Sequence, residues 1–463
     1  MNIIIFGTGK IYKEQAFNVR DTVIALADND KRKIGIALNG IRVIAPNDIH
    51  NWNYDIIVVM ARDKQDIEKQ LVGLCIEKDK IWHWRKYLAY SRKKQLVKYK
   101  INEPAIYFSN GRRVLIASTE MDFSGSVIVA MYAAEALLNE GYNVTIIAPS
   151  VEKEVVDRFV SKGIEVIEYT ILRYATYDEL IKVCAFDYLL ANTFTMKTVV
   201  ENVAGKKPIV WWIHEASNIY NSYIQEFGIG EEENYKKVII KAVSNVAKNN
   251  FNKCYIDILR EIMPYGIPKV EIQSSYHTKS KEIKFAIIGG LCENKCQREV
   301  IETFIKLQHC YGSSVKLYVV GNYFNVYGNS LLREYGDNEG IIFTGTLNRK
   351  QIFEIYKELD VVICASKEDC LPVVMTEAMM CKKIIICSDG TGTASFIRNG
   401  IDGFVFEVGN TTELFNICKY IVDNKEKTCK IGENGKKLFE KNFSVDSFKI
   451  KLLNALNEAE AII

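Results

Sequence analysis

The chain has 463 residues, of which 48% are apolar and 25% are charged. This composition excludes a disordered or fibrous protein. At roughly 100–200 residues per domain, the length excludes a single small binding module and predicts about three domains. Lys and Arg number 60 against 57 Asp and Glu, so the net charge of +3 argues against a protein dedicated to coating nucleic acid.

The twelve cysteines are scattered and the first 74 residues contain none, a distribution that is typical of reduced, buried thiols. The start, MNIIIFGTGK, lacks the basic leader and long apolar region of a secretory signal. No stretch approaches the roughly 20 apolar residues that a membrane-spanning helix needs. We therefore expect a cytoplasmic chain, at most peripheral at the inner face of the cell membrane.

A short β-branched run followed by a helical period occurs three times, and this alternation predicts α/β units with parallel sheets. The first unit starts with a strand at 3–6 and continues with strands near 23–27 and at 56–59. It ends near Trp84, so residues 1–84 are predicted to form a small Rossmann-like accessory domain.

The next segment, 85–112, is basic and aromatic and has no buried-strand pattern. We interpret it as a linker. The pattern favours a solvated connecting helix, and the alternative is a surface that rests on anionic lipid. A lipid-binding surface would give the chain a peripheral membrane contact.

The second unit starts with a strand at 114–117 and a helix over 126–140 that Gly141 ends. Its further strands are predicted at 144–147, 165–169, 188–190 and 209–213. A third unit follows the polar stretch 271–282, with strands at 285–288, 316–320, 341–343, 361–363 and 384–386.

The second and third units are predicted to be Rossmann-like domains of similar size, residues 113–280 and 281–440. A closing helix in 441–463, with Ser444 as its N-cap, should pack back toward the first of these two domains. Because open parallel sheets bind ligands at the carboxyl ends of their strands, two such domains that face each other form a cleft. The function should lie in that cleft.

The most informative stretch is ASKEDCLPVVMTEAMMC, which follows the strand at 361–363. Pro372 suits the start of a helix, and Glu377 then lies on the second turn of that helix. Asp369 precedes the helix by a few residues, so two carboxylates eight residues apart can face one ligand. The free N–H groups at the helix start add an anion site between them.

This pattern of two acids followed by Ala-Met resembles the motif of the retaining glycosyltransferases of family GT4, which have the GT-B fold. Further motifs of that family have counterparts here in the same order. They are Gly289-Gly290-Leu-Cys-Glu-Asn-Lys295 for the phosphate loop, Phe343-Thr-Gly345 for the nucleotide-side turn, and Ser388–Gly392 with Arg398–Gly403 for the closing segment. The resemblance covers about 113–463.

The resemblance implies an α/β protein of GT-B architecture, in which two Rossmann-like domains face a cleft and a small Rossmann-like domain precedes them. The donor would be a nucleotide-diphosphate sugar, with UDP favoured over GDP, and neither a cofactor nor a metal would be needed. Lys295 and Asp369 would be catalytic, Lys295 through its charge and Asp369 through hydroxyl groups of the donor sugar. The family pattern places the nucleotide at Gly289, Gly290, Lys295, Gly345, Val373, Val374 and Glu377, with Glu377 on the ribose.

The sequence departs from the family pattern in places. The first acid is usually Glu, and Glu368 competes with Asp369 for its role, although the spacing favours Asp369. Many members have Arg where this chain has Gly290, and Arg298 is an open candidate to replace that cation. Pro372 stands where Gly is common, which removes one N–H donor. These departures leave loss of activity as an alternative.

In the family, the acceptor binds the domain that corresponds to the second unit of this chain. His214 directly follows the predicted strand at 209–213, so it should emerge at a strand end, and we count it as a third catalytic candidate that bonds to donor sugar or acceptor. Asn192 and Thr193 are lesser candidates of the same kind. The loop 118–126 contains Gly125 and resembles the glycine-containing loop of the family.

The first unit carries Gly7-Thr-Gly9, with Tyr12 where a dinucleotide fingerprint has its third glycine, and Asp28 near the spacing of a ribose-binding acid. Residues 1–84 resemble the small domain that precedes bacterial sugar acetyltransferases. That resemblance indicates a fold, and it leaves binding, docking and regulation open as roles.

The leading hypothesis is transfer of a sugar to a glycan or lipid-linked acceptor in bacterial surface polysaccharide synthesis. A non-catalytic GT-B partner or a sugar-nucleotide-binding regulatory subunit is the alternative, and an NAD-dependent oxidoreductase is the third. No nucleic-acid partner is expected. A zinc site at Cys292, Cys296, His309 and Cys310 fits no standard finger spacing, so buried thiols are expected there.

Overall fold

The computed structural model describes residues 1–61, 64–91, 96–100, 108, 111–122, 124–230, 232–255, 258–259, 261–270 and 282–463. Three sheets built mainly from parallel strands follow one another along the chain. The predicted α/β architecture, with two larger units behind a smaller one, is confirmed. We call them the first, second and third units.

The first unit surrounds a sheet of order β3-β4-β2-β1-β5-β6, in which β3 alone is antiparallel among the described strands. The predicted strands are confirmed as β1, β2 and β5. The strands are β1 Asn2–Phe6, β2 Thr22–Ala27, β3 Ala37–Leu38, β4 Ile41–Ile44, β5 Ile56–Val59 and β6 Ile81–His83, and the helices are α1 Lys10–Gln15, α2 Lys64–Gly73 and α3 Trp84–Ser91.

The predicted linker 85–112 contains regular structure where the chain is described. Helix α3 packs on the first sheet: its Tyr87 is fully buried, and the Tyr87 hydroxyl donates to Asp21 at 2.8 Å. Strand β7, Leu96–Tyr99, pairs antiparallel with β10 of the second sheet. Alternate residues of β7 are exposed, so its sequence lacks the apolar run of a buried strand. The parts 92–95, 101–107 and 109–110 lie outside the described residues.

The second unit surrounds a sheet of order β14-β13-β12-β11-β8-β9-β10-β7, parallel except for β7. The five strands predicted for this unit are confirmed. The strands after β7 are β8 Arg113–Ala117, β9 Asn143–Ala148, β10 Glu165–Tyr169, β11 Tyr188–Asn192, β12 Ile209–Ile213, β13 Ile239–Ala242 and β14 Glu261–Ile262. The helices are α4 Gly125–Asn139, α5 Lys153–Val160, α6 Tyr177–Val183, α7 Lys197–Val203, α8 Ser217–Phe227, α9 Glu232–Tyr235 and α10 Asn245–Cys254.

The third unit surrounds a parallel sheet of order β17-β16-β15-β18-β19-β20. Its predicted strands are confirmed too. The strands are β15 Ile283–Ile288, β16 Val315–Val320, β17 Ile341–Gly345, β18 Val361–Cys364, β19 Ile384–Ser388 and β20 Phe404–Phe406. The helices are α11 Gln297–Tyr311, α12 Val326–Tyr335, α13 Arg349–Glu358, α14 Val373–Met380, α15 Thr411–Asp423 and α16 Lys425–Asn442. The predicted boundary near 280 lies outside the described residues.

The last helix, α17 Val445–Ala461, returns to the second unit. Ser444 caps it by accepting from the Ser447 backbone N–H at 3.2 Å, as its position in the sequence predicts. Phe448 stacks on the fully buried Trp212 of β12 with ring centroids 5.1 Å apart. The core of the second unit therefore includes side chains from the end of the chain.

No helix in the described part of the chain is at once long enough and apolar enough to cross a bilayer.

Candidate active site

A cavity of about 380 Å³ lies between the strand ends of the second and third units. We call it the cleft cavity. Six of the predicted candidates line it: Gly125, Thr193, His214, Lys295, Asp369 and Val373. Five others are not among the lining residues: Gly289 and Gly290 follow β15, Gly345 ends β17, and Val374 and Glu377 lie on α14.

An ion pair between the ammonium group of Lys295 and the carboxylate of Asp369 lines the cleft cavity. Two backbone hydrogen bonds hold Asp369 in place: its N–H donates to Gly390 at 3.1 Å, and its carbonyl accepts from Gly392 at 2.8 Å. Burial acts to lower the pKa of Lys295, but the charge and hydrogen bond of Asp369, together with the neighbouring thiols of Cys364 and Cys292, raise it overall. Lys295 is therefore a cation throughout the physiological pH range.

The glycine loop after β15 leaves its backbone accessible. Gly289 has a φ of +148°, and a Cβ atom on either Gly289 or Gly290 would meet no other atom within 4 Å. The buried Gln297 fixes the loop, because its amide donates to the Gly290 carbonyl at 3.1 Å and accepts from the Cys292 N–H at 3.3 Å. The loop thus has room for a ligand next to its main chain.

Arg298, the open candidate for a second phosphate cation, points away from the cleft cavity. Its guanidinium group donates to Glu334 at 2.6 Å and to the Tyr335 hydroxyl at 3.0 Å, both on α12. The structure therefore gives Arg298 a partner on the helix surface and does not bring it to the lining of the cavity.

Glu377 is 3% exposed and pairs with Arg349, whose guanidinium group lies 2.7 Å from Glu377 Oε1. The Tyr356 hydroxyl donates to Glu377 Oε2 at 3.3 Å. Burial raises the pKa of Glu377, and the charge of Arg349 opposes that rise. Arg349 is the first residue of α13 and belongs to no sequence motif, so its place beside Glu377 is not predicted from the sequence.

Glu368 and Asp369 face different sides of the cleft. Whereas Asp369 contacts Lys295 within the third unit, Glu368 accepts hydrogen bonds from Ser217 at 3.0 and 2.6 Å and from Asn250. Ser217 and Asn250 belong to the second unit, so Glu368 joins the two units. This geometry agrees with the spacing argument that assigns the first acid of the motif to Asp369.

His214 follows β12 and reaches the cleft cavity, as predicted from its place at a strand end. Its ring contacts the Trp212 indole edge-on at 4.4 Å, and Nε2 is buried without a hydrogen-bond partner among the described residues. Burial lowers the pKa of His214 to about 3. The imidazole is therefore neutral at pH 7 and can exchange hydrogen bonds with a ligand hydroxyl group.

Glu215, which the sequence analysis did not single out, also lines the cleft cavity and is 8% exposed. Its carboxylate accepts from the backbone N–H groups of Phe194 at 2.7 Å and His214 at 2.9 Å. Burial raises the pKa of Glu215 to about 7. Glu215 therefore ties the turn after β11 to the turn after β12.

The turn after β11 contains Thr193, which has a φ of +93° and a ψ of 157°, a conformation that non-glycine residues rarely adopt. Asn192 is fully buried and donates to the Ser118 hydroxyl and the Ser126 carbonyl, both at 3.1 Å. Asn192 thus supports the loop 118–126, whereas Thr193 lines the cleft cavity.

In the first unit, the Asp28 carboxylate already has protein partners. It accepts from the Thr8 N–H at 2.9 Å, from the Thr8 hydroxyl and from the Lys33 ammonium at 2.9 Å. Burial alone would raise the pKa of Asp28, but these hydrogen bonds hold it at about 2. The carboxylate therefore stabilises the turn after β1.

The cysteines next to the glycine loop do not form a metal site. The prediction of buried thiols is confirmed for Cys296, whose thiol donates to the Glu293 carbonyl at 3.7 Å, and is wrong for Cys292 and Cys310, which are exposed. No group of three His, Cys, Asp or Glu side chains in the described part of the chain could hold a metal ion.

Three family models match the chain. Residues 110–254 match the family model described as Glycosyl-transferase family 4, and residues 269–438 match Glycosyl transferases group 1. Residues 1–82 match the model of the C2185-like N-terminal domain. No curated protein sequence matches the chain significantly.

Solved structures of similar fold cover the second and third units. HepE from Anabaena, in complex with UDP and glucose, is 15% identical with a TM-score of 0.62, and the match covers 75% of this chain and 100% of that chain. A glycosyltransferase from Rickettsia africae is 19% identical with a TM-score of 0.62, covering 76% and 99%. The lipopolysaccharide outer core galactosyltransferase WaaB is 13% identical with a TM-score of 0.57, covering 75% and 99%.

The fold and the cleft define the class of protein: this is a glycosyltransferase architecture of the GT-B type. The chain carries a family 4 domain on one side of the cleft and a group 1 domain on the other, preceded by an additional N-terminal domain. The resemblance of that additional domain to the domain of sugar acetyltransferases stays a prediction, as does the retaining mechanism.

Proposed function

We propose that the chain is a retaining glycosyltransferase that moves a sugar from a nucleotide-diphosphate donor to a glycan or lipid-linked acceptor. The observation that carries the proposal is the Lys295–Asp369 ion pair in the cleft cavity, beside the start of α14. A leaving diphosphate gains negative charge as the glycosidic bond breaks, so a fixed cation and nearby N–H donors lower the barrier. Lys295 has such a charge, and Asp369 holds it in position.

The donor would lie along the third unit. The accessible backbone of Gly289 and Gly290 and the free N–H groups of Val373 and Val374 suit the diphosphate, and Gly345 suits the nucleotide side. Glu377 would bind the ribose hydroxyl groups as an ionised acceptor. Arg349 supports that role, because its charge opposes the rise that burial causes in the pKa of Glu377.

The acceptor would enter from the second unit. In the proposed reaction its hydroxyl oxygen attacks the anomeric carbon on the face from which the diphosphate leaves, and the departing phosphate oxygen takes the acceptor proton. His214, neutral and with its Nε2 free of protein partners in the described residues, would hydrogen-bond to the donor sugar or the acceptor. Asp369 would hold hydroxyl groups of the donor sugar. No protein nucleophile is needed.

The choice of UDP and of a surface polysaccharide rests on the comparisons. HepE is crystallised with UDP-glucose, and WaaB is described as a lipopolysaccharide outer core galactosyltransferase. A bacterial surface glycan made at the inner face of the cell membrane would place the chain in the cytoplasm, with its acceptor at that surface.

The proposal is tested by measuring thermal stabilisation and donor hydrolysis with a panel of UDP-, GDP-, ADP- and dTDP-sugars. At least one donor should stabilise the protein and release nucleotide diphosphate. Lys295→Met should abolish most of this turnover, whereas Lys306→Met, which removes an exposed lysine on α11, should not. Binding of nucleotide sugars without turnover of any of them would favour the non-catalytic alternative.

A further inference from the structure

A second cavity, of about 630 Å³, lies between the first and second units. We call it the interdomain cavity. Gln15 of α1 and Trp84, Arg85 and Leu88 of α3 line it from the first unit. None of the roles proposed for the cleft cavity uses these residues.

The interdomain cavity and the cleft cavity lie at the same edge of the second sheet, where its strands end. The cleft cavity lies at the ends of β11 and β12, where Thr193 and His214 follow the strands. The interdomain cavity is lined by Ser150 after β9 and Thr170 after β10, which are neighbouring strands of the same sheet. Carboxyl ends of parallel strands are where open α/β sheets bind ligands.

Helix α8 lines both cavities. Ile219, near its start, faces the cleft cavity, and Glu226, near its end, faces the interdomain cavity. At 1.5 Å per residue these positions are about 10 Å apart along the helix. Thr119 and Glu120, consecutive residues after β8, face the cleft cavity and the interdomain cavity respectively. A short linear ligand could therefore occupy both cavities.

Aromatic rings form much of the interdomain cavity. Tyr174 and Tyr223 each lie 5.7 Å from the ring of Phe227, and Trp84 completes the lining from the first unit. Arg85 lies over the Trp84 ring at 5.3 Å and Arg173 over the Tyr223 ring at 5.7 Å, so a sugar ring can pack against the other rings and the uncovered parts of these two.

The charges of the interdomain cavity are balanced. Arg173 donates to Glu120 at 2.8 Å, and Arg85 pairs with Glu226. These two arginines and two glutamates leave the lining without net charge. An uncharged polar ligand fits this arrangement better.

From these observations we infer that the interdomain cavity binds the saccharide chain of the acceptor, so that the first unit forms part of the acceptor site. The inference rests on the proposed function, because it takes the cleft cavity as the place of sugar transfer. Aromatic rings, a lining without net charge and a position next to the cleft cavity together favour an oligosaccharide. A monosaccharide in the cleft cavity would not reach the interdomain cavity.

The test is binding of the full-length chain to a printed array of bacterial surface oligosaccharide fragments, from monosaccharides to pentasaccharides. Trp84→Ala and Phe227→Ala remove one ring each, from the first and the second unit. Phe17→Ala is the matched control, because Phe17 belongs to the first unit, is 80% exposed and does not line the cavity. Melting temperatures report whether each variant is folded.

We expect the wild type to retain oligosaccharides more strongly than monosaccharides, and each of the two cavity variants to lose about tenfold in apparent affinity. Phe17→Ala should bind like the wild type. The inference is overturned if the wild type retains no glycan, or if both folded cavity variants bind as well as the control.

Measurement of nucleotide-sugar binding and sugar transfer by the wild type, with the same donor panel, separates the two proposals. Glycan binding that depends on Trp84 and Phe227, without binding or turnover of any donor, would refute the proposed function and leave the saccharide site. Sugar transfer by a chain whose glycan binding ignores both residues would refute the saccharide site alone.

Discussion

Replacing Arg349 by alanine should destabilise the protein in a way that depends on pH. In the folded chain, the Glu377 carboxylate is 3% exposed and has one charged partner among the described residues, Arg349 at 2.7 Å. The substitution leaves that carboxylate buried with the hydroxyl of Tyr356 as its hydrogen-bond donor. An unpaired buried charge is among the costliest defects that a single substitution can produce.

The size of the effect follows from burial. Removing one partner of a fully buried ion pair costs about 3–5 kcal/mol. The Arg349 side chain is 39% exposed, so water already screens part of the attraction, and we expect about 2 kcal/mol at pH 8.

The sign of the pH dependence follows from the pKa of Glu377. Burial already raises it, and without Arg349 only the hydrogen bond from Tyr356 opposes the rise. As pH increases, the unfolded chain then loses this proton before the folded chain does, so above a pH of about 4.3 the unfolded state is stabilised relative to the folded state. The loss should be small near pH 4.5 and complete at pH 8.

Urea denaturation at pH 4.5, 6 and 8 measures this effect. Lys350→Ala is the matched control, because it removes an exposed cation from the next position of the same helix. The double variant Arg349→Ala/Glu377→Gln should recover most of the stability lost at pH 8, because no charge is then buried. The reasoning fails if Arg349→Ala loses as much stability at pH 4.5 as at pH 8, or if Glu377→Gln brings no recovery.

Four further outcomes are expected. Lys295→Met should lower kcat for sugar transfer by about 10²–10³-fold, since it removes the cation that faces the leaving group, and steady-state assays of nucleotide release check this. Because the pKa of His214 is about 3, the pH profile of kcat/KM should show no His214 titration near pH 6.5, and that of His214→Gln should run parallel to the wild type at a lower level. EDTA should leave the rate unchanged; a loss that Mg²⁺ restores would contradict the metal-free site. Ser444→Ala should cost about 1 kcal/mol of stability in thermal denaturation, because the first turn of α17 loses its cap.

The predicted strands lie at the continuous apolar runs of the sequence. Strands that are buried on both faces consist almost entirely of apolar residues, so such runs identify them. The strands that the sequence analysis missed lack this signal. Strand β13 contains Lys241, which is buried only because Glu261 and Glu458 neutralise it from β14 and α17. Its partners are far away in the sequence, so no local pattern could reveal them.

Some contacts of the candidate site could also be predicted from the sequence, and others could not. Asp369 and Lys295 could be predicted as neighbours, because each follows a strand of one parallel sheet and belongs to a motif with fixed spacing. Arg349 lies 28 residues before Glu377 in the chain, outside any motif, and meets it only through the packing of α13 against α14. The contact of Glu368 with Ser217 depends on how the two units face each other, which no spacing within one unit determines.

Helix α17 makes the second unit discontinuous in sequence, since the whole third unit is inserted between β14 and this helix. The polypeptide therefore crosses between the units twice, once after residue 270 and once near Ser444. Two crossings limit how the cleft can open, because a rotation must bend both at once. They also dictate where the protein can be divided: a fragment that ends before α17 would expose Trp212 and the apolar face around it, whereas supplying α17 as a separate peptide should restore that fragment.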